Sequence, residues 1–344
     1  MNWFKVHFPG ILITFILALG ATEVVEFLPD HIIGPGVLTL FIGMILHPLI
    51  RERSSLSKGI TYSSKGLLRL GIILMGANFS FAQVVQVGGS ALSVMAFTLL
   101  TAFGGGALLG KLLGLDWKLS SLISAGTGIC GGSAITAVAP VIDAEDDQVA
   151  YAISTIFLFD MLMVLLLPLI GGYLQLSDLT FGLWAGTAIN DTSSVVASSY
   201  GYSSIAGDYA VIVKLTRTLA IIPVVLFYST FGGRPKEGTN GDTVPAQGNS
   251  GGSPKVSVAK IFPWFVLIFL AMVVLKTLGI IPTGLTPYLS KTSKFLMVMA
   301  LGAIGLKTNP GKLVKSGVTP LVHGLILSTL VILVSFFAIQ LLAV

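Results

Sequence analysis

The sequence predicts an all-α membrane protein with about eleven transmembrane helices, and three observations predict it. Of its 344 residues, 54% are hydrophobic and only 10% charged, whereas soluble domains carry roughly a quarter charged residues. Apolar segments of bilayer length recur from Phe8 to the C-terminus with short polar breaks. These runs lack period-two alternation and are too long for the tilted strands of a closed barrel, so the spans are helices. Residues 1–344 read as one transmembrane domain.

The elements follow from where polar residues interrupt the apolar runs. Spans of roughly 17 to 25 residues fall at Phe8 to Phe27, Gly34 to Ile50, Ser63 to Ser80, Gly88 to Leu113, Lys118 to Val141 and Gln148 to Gly172. They continue at Leu179 to Tyr200, Ala206 to Phe231, Ile261 to Ile281, Tyr288 to Gly305 and Val318 to Val344. Lys5 ahead of the first run imitates a secretory signal, but more membrane helices follow and no clean cleavage pattern stands before a soluble body. Met1 to Gly20 is therefore expected to stay as the first helix.

Cytoplasmic loops retain Lys and Arg. With the N-terminus inside, the cytoplasmic side collects fourteen of the twenty Lys and Arg, Lys65 and Lys307 among them. The opposite loops hold Glu23, Glu26, Asp30, Asp143, Glu145, Asp146, Asp147 and Asp208. The expected location is a plasma (inner) membrane, multi-pass, N-terminus cytoplasmic and C-terminus outside. Gly232 to Pro254, rich in Gly, Pro, Ser, Asn and Thr, places a flexible cytoplasmic linker within residues 232–258.

Several chemistries are excluded. A single cysteine, Cys130, and four scattered histidines offer neither an intrachain disulfide nor metal-ligand spacing. The net charge of +5 comes without a basic cluster interleaved with aromatics, so nucleic acid is not an expected partner. No Walker A motif appears, and no cofactor is expected. Ser133 with His323 lacks a serine-hydrolase context, and Asp160 with Asp191 lacks that of an intramembrane aspartic protease. An enzyme is not expected.

The most specific feature is Gly126 to Ser133, GTGICGGS, inside an apolar span. Glycine weakens a helix by up to ~1 kcal/mol relative to Ala, and unwound backbone is tolerated at membrane depth only against protein or a wet cavity. A helix restarting at Gly131 to Ala134 aims its N-terminal N–H groups into that cavity, an anion site. The alternative is close helix packing through small residues. A second feature, Gly186 to Ser194, GTAINDTSS, gathers Asn190, Asp191, Thr192, Ser193 and Ser194 in another hydrophobic span. Lys214 and Arg217 lie three residues apart on one helix face, Arg69 is another cation within a span, and Asp160 is a second isolated acid.

At GTGICGGSAITAVAPVI, AGTAINDTSSVVASS and VKLTRTLAIIPVVL the chain resembles the YeiH-like family of sulfate exporters, and LLRLGIILMGANFS and LKTNPGKLVKSG extend the resemblance over nearly the whole length. The family is grouped with the cation:proton antiporter and anion transporter superfamily. The resemblance implies an inverted-repeat transporter fold, discontinuous helices crossing at the midplane, and a core that moves elevator-fashion against a scaffold. Internal similarity between Leu67 to Gly88 and Phe295 to Gly317 joins spans of opposite direction, as inverted repeats do. That between GTGICGGSAITA and GTAINDTSSVVA joins spans expected to run the same way.

The expected function is secondary transport of a small anion, most simply a sulfur oxyanion such as sulfate, sulfite, thiosulfate or a sulfonate. Gly126, Thr127, Gly128, Cys130, Gly131, Gly132, Ser133, Asn190, Thr192, Ser193 and Ser194 are the expected substrate-binding residues, with Lys214 and Arg217 supplying charge. Asp191 and Asp160 are the candidates for H⁺ or Na⁺ coupling. Membrane lipid and a second copy of the chain are the other expected partners. An anion channel is the main alternative, and an intramembrane hydrolase a remote one. Lys214→Ala or Arg217→Ala is expected to abolish uptake while the fold persists.

Overall fold

The computed structural model describes residues 2–26, 34–50, 53–231, 262–308 and 317–342. The linker expected at 232–258 and the final residues of the chain lie outside them. All described regular structure is helical. The helices are α1 (Asn2–Glu26), α2 (Pro35–Ile50), α3 (Ser54–Tyr62), α4 (Leu68–Met75), α5 (Phe81–Leu100), α6 (Gly106–Leu112), α7 (Trp117–Gly128) and α8 (Gly132–Val138). They continue as α9 (Asp146–Tyr173), α10 (Asp178–Ala188), α11 (Thr192–Tyr202), α12 (Ser204–Thr218) and α13 (Ile221–Phe231). The last three are α14 (Trp264–Thr277), α15 (Thr286–Lys307) and α16 (Val318–Leu342). A π turn at Ser63–Leu67 joins α3 to α4, and another at Thr101–Gly105 joins α5 to α6.

Among the described residues, six helical stretches are long and apolar enough to cross a membrane: Lys5–Glu26, Phe81–Leu112, Asp146–Tyr173, Ser204–Thr230, Thr286–Lys307 and Val318–Leu342. Pro35–Ile50 and Trp264–Thr277 are shorter apolar helices. Two of the expected spans are hairpins rather than single straight helices. The segment from Lys118 to Val141 folds back on itself: Gln148 Nε2 donates to Asp116 Oδ1 at 2.9 Å, and Lys118 Nζ donates to the Asp143 carbonyl. A straight helix of that length would hold its ends roughly 35 Å apart. The acidic residues Asp143 to Asp147 therefore share a face with Asp116 and Lys118, not the opposite face that unbroken crossing implies.

The segment from Leu179 to Tyr200 folds back likewise. The Tyr202 ring stacks on Phe181 at 3.9 Å, the Tyr202 hydroxyl donates to the Leu176 carbonyl at 2.5 Å, and Ser203 Oγ meets Asp178 Oδ1 at 2.5 Å. Between these two hairpins runs α9, about 42 Å long at 1.5 Å per residue. The first hairpin opens at its N-terminal end and the second at its C-terminal end, so they enter the molecule from opposite faces. The two GT motifs, expected to run the same way, are inverted relative to each other.

The helices form two bodies. A panel consists of α1–α4, α14 and α15, and a core consists of α5–α13 and α16, joined mainly where α11 meets α2 and α15 and where α14 meets α5. The panel is close-packed through glycine. A Cβ on Gly305 would stand 2.1 Å from the Leu40 carbonyl oxygen, and one on Gly43 2.6 Å from that of Gly302. Backbone cannot yield as a flexible side chain does. Gly305→Leu is expected to force α2 off α15 and to lower the melting temperature of detergent-extracted protein by several degrees, at a cost of about 1–3 kcal/mol. An unchanged melting curve would show that the panel tolerates separation.

Candidate functional site

The hairpin tips meet at the middle of α9. Residues Ile129 to Gly131 separate α7 from α8, and Ile189 to Asp191 separate α10 from α11. Gly131 has φ 65° and ψ −131°, and a Cβ there would lie 3.1 Å from that of Asp191. The position thus requires glycine both for its backbone conformation and for the contact between tips.

Ending four short helices inside the molecule leaves carbonyls and N–H groups without intrahelical partners. Two buried cations satisfy the carbonyls. Lys214 Nζ donates to the Ile129 and Ile189 carbonyls at 2.9 and 3.0 Å, so one ammonium ties both tips. Arg217 Nε donates to the Gly128 carbonyl at 2.8 Å, one Nη to those of Thr187 and Ile189 at 2.6 and 3.2 Å, and the other Nη to that of Thr127. Both sit at the negative dipole ends of α7 and α10. Lys214 is 0% and Arg217 1% exposed, and neither reaches the cavity wall. Their charge holds protein backbone, which differs from the expected contact with an anion.

Asp160 treats the donors in the same way. Its two carboxylate oxygens accept from the Asn190 and Asp191 N–H groups at 2.9 and 2.8 Å. Asp191 then caps α11, its Oδ2 accepting from the Ser193 N–H at 2.9 Å and from the Ser193 hydroxyl. The first turn of α8 has no side-chain cap. Asp160→Asn retains one good acceptor and sets an amide N–H₂ against a backbone donor. It is expected to cost about 1–3 kcal/mol, read as a lower melting temperature and as faster amide exchange at Asn190 and Asp191.

Beside the tips lies a cavity of about 490 Å³ between panel and core. The core wall carries Gly132, Ser133, Asp160, Asp191, Thr192 and Ser193, with Ile153, Ile156 and Phe157. From the panel come Ser64, Lys65, Arg69, Lys307 and Thr308, with Leu68, Ile72, Phe265 and Ile304. Lys65, Arg69 and Lys307 line it and are among the exposed residues of the chain, and the Arg69 guanidinium lies 5.7 Å over the Phe265 ring. Lys65 rides on the π turn of the third helical segment, a local widening that re-aims side chains. Its spacing from Arg69, four residues on a helix face, is the signal that could have marked it. A lysine at a span end reads first as a topology marker.

The remaining expected residues stand behind this wall. Gly126 packs where a Cβ would meet Ile156 and Ile135 at 2.6 and 2.9 Å. Gly128 and Cys130 are buried, and the Thr127 hydroxyl is buried without a partner while its carbonyl serves Arg217. The Asn190 side chain points to Ser328 Oγ at 3.4 Å, and Ser194 is buried. Ser133 and His323 are not brought together: His323 Nε2 lies 3.0 Å from the Gly106 carbonyl and 3.3 Å from Ser120 Oγ. Among the described residues no His, Cys, Asp or Glu group could hold a metal ion.

Two opposed hairpins with touching tips, braced by buried charges, stand beside a polar cavity in an all-helical chain whose described residues hold six stretches able to cross a membrane. Its residues 9–324 match the family model described as Conserved hypothetical protein 698. The chain is 55% identical over 336 residues to a UPF0324 membrane protein of Clostridium tetani, covering 98% of this chain and 97% of that one. It is 40% identical to one of Streptococcus pneumoniae, covering 92% and 91%, and 37% identical to one of Fusobacterium nucleatum, covering 92% of each. The chain belongs to the UPF0324 membrane protein family.

Proposed function

We propose that this protein is a secondary transporter of a small anion. The observation that carries the reading is the cavity wall: three accessible cations of the panel, Lys65, Arg69 and Lys307, share a space of about 490 Å³ with Ser133, Thr192 and Ser193 at the hairpin tips. Cations on one body, with hydroxyl and N–H donors on the other, suit an anion bound between them. Sulfate, sulfite, thiosulfate and sulfonates fit this chemistry, in keeping with the resemblance to sulfate exporters. Asp160 and Asp191, on the same wall, are the candidates for coupling to H⁺ or Na⁺.

In this reading the six long helices, the two shorter apolar ones and the Ser54–Asn78 segment cross the bilayer, and the two hairpins re-enter it from opposite sides as inverted copies. The excess of Lys and Arg favours a cytoplasmic N-terminus and a cytoplasmic Lys307 end of α15, with Lys65 within the membrane segment facing the cavity, so that the cavity opens inward. Close backbone approaches are fewer between panel and core than within each, and the seam between them is largely apolar, which suits motion of the core as a unit. The deciding measurement is flux of radiolabelled sulfate, sulfite, thiosulfate and a sulfonate into proteoliposomes under imposed H⁺ and Na⁺ gradients. Gradient-dependent, saturable uptake of at least one is expected. Ionic current without saturation would indicate a channel, and if none of the four anions moves or stabilises the purified protein the anion reading fails.

A further inference from the structure

Panel and core also meet on the face opposite the cavity, and polar side chains from both close it. The Tyr200 hydroxyl, near the end of α11, donates to Asp208 Oδ1 at 2.6 Å and lies 2.8 Å from Met75 Sδ. Lys294 Nζ sits over the same ring, 5.7 Å from its centre. Tyr200 and Asp208 belong to the core, Met75 and Lys294 to the panel. Beside them a Cβ on Gly34 would lie 2.8 Å from Gly201 Cα, and Val37 of α2 touches the same turn.

The geometry joins this closure to the cavity through two rigid helices. Tyr200 is about 12 Å along α11 from Thr192 on the cavity wall, and Lys294 is about 20 Å along α15 from Lys307 at its mouth. An ammonium over an aromatic ring is attracted to the ring face, and the Asp208 carboxylate beside that ring adds a longer-range attraction. No comparable polar contact joins the bodies around the cavity itself among the described residues. We propose that Tyr200, Asp208 and Lys294 form a latch between core and panel, and that the cavity reaches the far face only when Lys294 leaves the Tyr200 ring. This rests on the transporter reading, since a latch matters where two bodies must part.

The test uses the full-length chain with Cys130→Ala and Val37→Cys, in membrane vesicles of either orientation, with a membrane-impermeant maleimide as the probe. Val37 is 3% exposed at the seam, so labelling is expected to be slow while the latch holds. Adding Lys294→Gln should speed labelling by about tenfold, and only from the Tyr200 face. Lys294→Arg keeps a cation over the ring and should restore the slow rate, and the neighbouring control Lys291→Gln should leave it slow. A Lys294→Gln rate no faster than that of the parent or of Lys291→Gln overturns the latch. So does fast labelling that Lys294→Arg does not reverse, because general loosening then explains it. Failure of anion flux with the labelling pattern intact sinks the transport reading and leaves the closure standing.

Discussion

Arg217→Ala should leave almost no folded protein in detergent extracts, whereas a residue serving only an anion would be lost without unfolding. The guanidinium holds the carbonyls of Thr127, Gly128, Thr187 and Ile189. Each carbonyl stranded in a buried site costs about 1–3 kcal/mol, against a total domain stability of about 5–15 kcal/mol. Arg217→Lys, with one point charge in place of a fork, should recover part of the yield at a lower melting temperature. The measurement is the monodisperse fraction by gel filtration with a melting curve. A variant that melts like the parent but has lost transport would return Arg217 to the substrate.

The opposite pattern is expected at the cavity mouth. If the cavity carries an anion as proposed, Lys65→Gln, Arg69→Gln and Lys307→Gln should each raise the anion concentration for half-maximal flux by about ten- to a hundredfold, the range for one charge-assisted hydrogen bond. Melting should move little, because substitutions at exposed positions cost within about 0.5 kcal/mol. The effect should shrink as ionic strength rises. Unchanged half-saturation in all three variants would remove the cation wall from the mechanism. Taken with Arg217→Ala, the two outcomes separate charges that build the site from charges that meet its ligand.

Much of this is legible along the chain. Composition dictates a helical membrane protein, and helix-breaking glycines mark the interruption after Gly128, where α7 stops, while GTAINDTSS marks the one after Ala188. Chemistry local to a few residues can be read in that way, because glycine and clustered polar groups act on the backbone that bears them. Other matters depend on residues far apart in the chain. Whether the interrupted segments cross or fold back depends on contacts such as Asp116 with Gln148 and Phe181 with Tyr202. Which cations face water depends on what packs over them: Lys214 and Arg217 look the better pair on a helix, yet two hairpin tips consume them.

The sequence by itself determined the solvent, the helices and the places where helices break, since hydropathy and backbone propensity are properties of neighbouring residues. Tertiary structure alone decided that the breaks are hairpin tips and that Lys65, Arg69 and Lys307 share one cavity. A buried charge goes to whichever unpaired group lies nearest in space, and spatial nearness between α4, α9, α11 and α15 is not written along the chain.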